Sequence, residues 1–144
     1  MTESPEQQAR DRALRTAANV LQYRQRSARA LYDRLLEKGL EPELAEYAVE
    51  RLQQLVRELS ARGYGAGRIR QELREKKLEP EVLEAAMEEY QADPERLRRY
   101  IEGKLSGQAP DRRMLKKVSD GLFRRGFSWE EIRAALRRYA DQLE

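Results

Sequence analysis

The stretch Leu35-Leu-Glu-Lys-Gly-Leu-Glu-Pro-Glu-Leu-Ala-Glu-Tyr-Ala48 has the pattern of one helix ending, a tight turn, and another helix beginning. Gly39 stands where a helix C-terminus favours a residue with positive φ. Pro42 fits the first position of a new helix, where its missing N–H costs nothing. Similar text returns at Leu73–Ala86 and at Leu122–Ala135. This internal repetition predicts tandem helical modules.

The three turns differ in one informative way. Lys77 and Gly126 occupy the places that correspond to Gly39. A lysine tolerates positive φ poorly, so we expect the middle turn to be the least well satisfied. After the third turn, Ser128 and Glu131 have the S-x-x-E spacing of a capping box.

Apolar residues before and after each turn follow i, i+3, i+4, i+7 spacing, which predicts one apolar stripe per helix. A preceding helix is predicted from Arg12 to Tyr23 for the first copy, and another after Asp93-Pro94 for the third. We therefore predict an all-α fold without paired strands, an elongated and curved array of three tandem three-helix repeats. The predicted repeats are residues 12–52, 53–92 and 93–140.

The second repeat is short. Gly39 precedes Lys77 by 38 positions, whereas Lys77 precedes Gly126 by 49. The shortfall lies between Leu52 and Tyr64, where a turn and a full helix do not fit. Because no Gly or Pro occurs there before Gly63, we predict one continuous helix from about Pro42 to Arg62. A helix break near residues 53–55 would indicate missing residues instead.

Composition limits the possible functions. The chain of 144 residues contains no His and no Cys, so it lacks the commonest general base, the thiol nucleophile and the usual zinc ligands. We therefore expect no enzyme activity, no metal and no cofactor. The absence of cysteine and of a long apolar run leads us to expect a cytoplasmic protein without a membrane span.

Charge is unevenly placed along the chain. Residues 96–139 carry 13 Lys/Arg against 5 Asp/Glu, a net of +8, whereas residues 1–95 carry 16 against 19, a net of −3. A basic C-terminal third suggests a polyanionic partner such as nucleic acid or an acidic protein groove. The alternative is a set of solvated helix faces.

Two basic helical segments are the candidate binding surface. One follows the glycine-rich segment Gly63-Tyr-Gly-Ala-Gly-Arg68, which either cradles an anion or, as we favour, stops one helix and forms a hinge before the next. Tyr64 either anchors this loop or projects towards a partner. In the second segment, cations four residues apart repel one another, which an anionic partner would explain. The candidate partner-binding residues are Tyr64, Arg68, Arg70, Arg74, Lys76, Arg112, Arg113, Lys116, Lys117, Arg124 and Arg125.

One motif is specific enough to indicate a family: Arg62-Gly-Tyr-Gly-Ala-Gly-Arg-Ile-Arg-Gln-Glu-Leu-Arg-Glu-Lys-Lys77. This stretch resembles the central signature of the RecX family of bacterial recombination regulators. Arg26–Gly39 and Arg124–Leu136 support it, and the similarity runs from about Leu14 to Tyr139. This chain lacks the family's usual Leu-Asp-Asp segment between the first two modules.

The resemblance implies a curved, all-helical protein that binds RecA filaments along their groove and opposes strand exchange, ATP turnover or repressor cleavage. The expected partner is thus the RecA filament on single-stranded DNA. Weak direct DNA binding and a monomeric state are further expectations. Two alternatives remain open: a general helical nucleic-acid-binding protein, favoured by charge alone, and a protein-only helical adaptor.

Overall fold

A computed structural model describes residues 3–143 and contains seven helices and no strand within that range. The predicted all-helical fold is confirmed. The helices are α1 (Pro5–Glu37), α2 (Pro42–Ala61), α3 (Ala66–Glu75), α4 (Pro80–Met87), α5 (Pro94–Leu105), α6 (Arg112–Arg124) and α7 (Trp129–Gln142).

Helix ends follow the chemistry of the turns. Gly39 and Gly126 have φ values of 95° and 99°, as expected for residues that follow a helix C-terminus. Lys77 adopts a φ of 60° at the matching place, so a side chain occupies a conformation that normally favours glycine. Ser128 and Glu131 form the predicted reciprocal capping box at the start of α7.

The helix predicted from Arg12 to Tyr23 and the helix predicted before the first turn form one continuous helix, α1. We predicted a separate helix from Arg12 to Tyr23, but α1 runs without interruption over 33 residues, from Pro5 to Glu37. No Gly or Pro lies inside α1 after Pro5 that could stop it. The continuous helix predicted from Pro42 to Arg62 is confirmed, since α2 extends to Ala61 with Arg62 as its C-cap. With seven helices in the described residues, the division into three three-helix repeats stays a prediction.

Buried apolar side chains form two clusters. The first joins the C-terminal part of α1 to α2, α3 and α4, and its fully buried centre includes Leu31, Val56, Ile69 and Leu73. The second joins α5, α6 and α7. Its buried members are Leu97, Ile101, Leu105, Val118, Leu122, Phe127, Ile132, Ala135 and Tyr139.

Leu44 and Phe123, whose helical spacing predicts positions on an apolar stripe, lie outside these clusters. Leu44 is 59% exposed, because the buried stripe of α2 runs through Ala45 and Val49, one position later than predicted. Phe123 is 50% exposed, because Leu122 already faces the core and the next residue on a helix points about 100° away.

The molecule is extended. Its accessible surface is 10557 Å², whereas a compact monomer of this mass exposes roughly 7,700 Å². Part of the excess comes from α1, whose first buried residue is Ser27. The preceding part of α1 extends roughly 30 Å without a buried side chain.

Candidate functional site

The two basic segments meet through their glycine turns. The backbone N–H of Gly65 donates to the carbonyl oxygen of Arg125 at 2.7 Å, and that of Gly67 donates to Gly126 O at 3.0 Å. A Cβ on Gly65 would lie 2.7 Å from the backbone of Gly126. The glycines therefore allow close approach of the α2–α3 turn to the α6–α7 turn. This contact supports the interpretation of the segment as a helix stop and hinge rather than as an anion cradle.

The two halves of the molecule are α1–α4, around the first core cluster, and α5–α7, around the second. A second contact joins these halves. The guanidinium Nη1 of Arg96, on α5, donates to the carbonyl oxygen and, at 2.7 Å, to the hydroxyl oxygen of Ser60 near the end of α2. The carbonyl of Ser60 also accepts from Gly63 N–H. Arg96 therefore has a structural role in joining the two halves. It was not among the predicted binding residues.

Arg68 and Tyr64 support each other. The guanidinium of Arg68 lies over the Tyr64 ring, 5.1 Å from its centroid, and pairs with Glu72 at 3.1 Å. Tyr64 is half-buried and packs against the first core cluster. Of the two roles considered for Tyr64, this placement favours that of an anchor for the loop.

Arg70 is paired with a carboxylate of the following helix. Its guanidinium makes two hydrogen bonds to the carboxylate of Glu84, at 3.2 and 3.3 Å, and so ties α3 to α4. The hydrogen bond from Arg70 lowers the pKa of Glu84 below its usual value. Arg74 and Lys76, further along the chain, are exposed.

The cations of α6, like Arg74 and Lys76, form no ion pair in the described part of the chain. These cations are Arg112, Arg113, Lys116, Lys117 and Arg124, and all of them are exposed. Arg125 instead lies over the Tyr100 ring, 5.0 Å from its centroid. Like charges four residues apart repel, so an anion bound between them would relieve this repulsion.

The turn contact brings only some of the candidates together. Arg68, Arg70 and Arg124 line one groove of about 490 Å³ between α3 and the α6–α7 turn. Tyr64, Arg74, Lys76, Arg125 and the four cations at the start of α6 do not line it. The candidate surface is therefore one arginine-lined groove, with further cations outside it.

Sequence reasoning missed an aromatic pair beside this groove. The rings of Phe123 and Trp129 stack with their centroids 4.6 Å apart and their planes 11° apart. Phe123 lies at the end of α6 and Trp129 begins α7. The available signal was that Leu122 and Ile132 already satisfy the apolar stripes, which leaves both rings outside the core.

A buried carboxylate was also missed. The side chain of Glu89 is 2% exposed and accepts from Arg57 at 3.3 Å and from Gln53 at 3.3 Å, with Arg24 at 3.6 Å. These contacts join α1 and α2 to the residues after α4. Glu89 follows Glu88 in ordinary helical text, so nothing in the sequence distinguished it.

Two classes of site find no support in the described residues. Within 3–143, no cluster of three or more acidic, His or Cys side chains is arranged to hold a metal ion. None of the helices in that range combines the length and the apolar character that crossing a bilayer requires.

The fold is all-helical within the described residues and its sequence repeats a helix–turn–helix pattern. Arginines line one groove on its surface. Comparison with known proteins identifies the family. The models described as RecX, first three-helix domain and RecX, second three-helix domain match residues 9–52 and 52–87. The chain is 36% identical over 135 residues to the Regulatory protein RecX of Xanthomonas oryzae pv. oryzae (strain MAFF 311018), with 84% of each chain covered.

A second relative, the Regulatory protein RecX of Xanthomonas citri, is 34% identical over 135 residues, which cover 84% of this chain and 83% of the relative. This chain belongs to the RecX family. The resemblance drawn from the central motif is confirmed, and the relatives are named as regulatory proteins rather than as enzymes.

Proposed function

We propose that this protein binds the RecA filament on single-stranded DNA and inhibits or modulates its recombinase, ATPase and coprotease activities. Membership of the RecX family supports the regulatory role. We further propose that it acts in the cytoplasm as a monomer, without catalysis of its own. The proposed repeats remain residues 12–52, 53–92 and 93–140, and the two family matches at 9–52 and 52–87 support the first boundary.

The observation that carries the proposal is the arginine-lined groove formed where the glycine turns meet. Arg68 and Arg70 come from the first half of the molecule and Arg124 from the second. A surface assembled from both halves suits a partner that is wide and repetitive rather than a small ligand. The exposed cations of α6 enlarge this basic surface, and we expect them to attract the phosphate groups of the DNA strand.

The direct test measures ATP hydrolysis by RecA on single-stranded DNA with and without the protein. We expect inhibition that saturates as protein is added. A double variant Arg68→Ala/Arg124→Ala should shift the inhibition curve to higher protein concentration. The matched control removes two exposed arginines of α1, Arg10 and Arg15, which lie in the part of that helix without buried side chains. Unchanged ATPase rates at saturating protein would contradict the proposal.

A binding comparison separates this function from general nucleic-acid binding. If charge alone mediates binding, naked single-stranded DNA should bind strongly, with an affinity that falls steeply as salt releases counterions. If the filament is the partner, RecA-coated strands should bind much more tightly than naked strands at about 0.15 M salt. Equal affinities would favour the general nucleic-acid-binding alternative. Tight binding to RecA without any strand would favour the protein-only adaptor.

A further inference from the structure

The stacked rings of Phe123 and Trp129 are exposed, and the second core cluster closes without them. Phe123 is 50% exposed and Trp129 is 44% exposed, although the two rings lie nearly parallel with centroids 4.6 Å apart. Phe127, the residue before the N-cap of α7, already packs into the second core cluster. The pair therefore contributes little to closing that core, and large exposed rings that the core does not need mark interaction sites.

A groove beside the pair supplies both flat and charged surfaces. Phe123 lines this cavity of about 490 Å³ together with Arg68, Arg124 and Gln71. Arg124 is exposed and forms no salt bridge within the described residues. The acidic side chain in the groove is Glu131, and its carboxylate is occupied by the backbone N–H of Ser128 at 3.0 Å. The groove thus offers a ring, a cation and an amide to one ligand.

Cations lie within two helical turns of the rings on both helices, with Asp120 between Lys116 and Phe123 on α6. Lys116 precedes Phe123 by seven residues, two helical turns and roughly 10 Å along the same side of α6. Arg112 lies about one turn further. On α7, Arg133 follows Trp129 by one turn, and its Nε donates to the Trp129 carbonyl at 3.3 Å. Flat rings flanked by cations at helical spacing are what a strand of bases and phosphates requires.

We propose that Phe123 and Trp129 form a stacking site for unpaired bases of a single-stranded polynucleotide, with Arg124, Lys116 and Arg68 contacting its phosphates. A duplex would not fit, because its bases are already stacked and paired. An acidic protein segment would satisfy the cations but would leave the ring faces without a flat partner. Two rings hold only one or two bases, so the site binds a free strand modestly. The assignment concerns the free strand, and its failure would leave the proposed filament binding intact.

Trp129 is the single tryptophan of the chain, so its fluorescence reports on the site directly. Titration with an oligothymidylate at about 0.05 M salt should quench this fluorescence saturably. An abasic strand of equal length and charge should bind about tenfold more weakly and leave the fluorescence unchanged. A DNA duplex should also fail to quench it. Absence of quenching by the oligothymidylate, or equal binding of the abasic strand, would overturn the proposal.

Variants test the rings separately from the fold. Phe123→Ala keeps the reporter and should weaken oligothymidylate binding about tenfold, with the helical circular dichroism unchanged. Tyr47→Ala is the matched control, because Tyr47 is an exposed aromatic residue on α2, away from the groove. Lys116→Ala should weaken both the oligothymidylate and the abasic strand. Quenching by the RecA filament but not by free strands would mean that the pair contacts protein, which also overturns the assignment.

Discussion

Gly126 and Arg68 are in backbone contact: a Cβ built on Gly126 would lie 2.2 Å from the backbone nitrogen of Arg68. Gly126 also has a φ of 99°, so glycine is required there both for conformation and for space. The same residue thus ends α6 and positions the start of α3. The arginine-lined groove depends on this contact.

Gly126→Ala should therefore destabilise the protein more than a conformational penalty alone. Gly39→Ala is the matched control, since Gly39 has a φ of 95° but no atom within 4 Å of its would-be Cβ. We expect the control to cost about 1–2 kcal/mol and Gly126→Ala roughly 1–3 kcal/mol more, because of the clash. Urea unfolding of both variants measures the difference. Equal losses would show that the contact is not tight in solution.

Lys77→Gly should stabilise the protein. Lys77 holds a φ of 60°, which costs a non-glycine residue about 1–2 kcal/mol, and glycine loses part of that gain to greater freedom in the unfolded chain. The expected net gain is about 0.5–1 kcal/mol, or roughly 2 °C in Tm. Lys76→Gly, one residue earlier with a φ of −80°, should lower Tm instead. A Tm that rises equally in both variants would point to lost charge repulsion rather than to the backbone.

Lys38 should make stability pH-dependent at both extremes. Its Nζ lies 2.6 Å from Glu79 and 2.9 Å from Glu81. Hydrogen bonds to these carboxylates raise the pKa of Lys38 from 10.5 to about 12, so its stabilisation is present below pH 10.5 and is lost towards pH 12. Hydrogen bonding to Lys38 lowers the pKa of Glu81 below 4.5, so that stabilisation is lost as the pH falls below 4.5.

The Lys38→Met variant tests this dependence. Its Tm should lie below that of the parent protein between about pH 5 and pH 10, and the difference should narrow below pH 4.5 and above pH 10.5. Melting curves recorded from pH 3 to pH 11.5 measure the difference. A constant difference across this range would mean that Lys38 stabilises the protein through packing of its stem.

Arg68→Ala/Arg70→Ala should weaken partner binding with a small effect on stability. Both ion pairs lie at the surface and are partly exposed, and surface pairs contribute about 0–1 kcal/mol each. Glu84→Gln is the matched control, because it removes the charge that binds Arg70 while keeping the arginine itself. The control should lose similar stability but retain RecA-filament affinity. A large drop in Tm for the double variant alone would show that these arginines are structural.

Local sequence was sufficient to predict the helix ends. Pro42, Gly126 and the Ser128–Glu131 box act through their own backbone neighbours, and the structure has each where expected. The break predicted after Tyr23 was wrong, since α1 continues to Glu37. A helix stops for a chemical reason, and residues 6–36 contain neither Gly nor Pro.

The composition of the groove could not be predicted in the same way. Arg70 and Glu84 are 14 residues apart, and Gly65 and Arg125 are 60 apart, so each contact depends on how separate helices pack. Phe123 was assigned to the core because it falls in the apolar stripe with Val118 and Leu122. One position along α6 decides whether the ring faces Ile132 or solvent.

The joint between the two halves has mechanical consequences. Within residues 3–143 the two core clusters share no buried side chain. The turns meet through two backbone hydrogen bonds, the close approach of Gly65 and Arg68 to Gly126, and the contact of Arg96 with Ser60. Each of these hydrogen bonds contributes about 1 kcal/mol, so we expect the joint to open at lower cost than either cluster unfolds. We expect the two halves then to tilt as rigid bodies about this joint. Such a tilt changes the distance between the cations of one half and those of the other. We expect such tilting to let the protein follow a helical filament groove whose pitch varies.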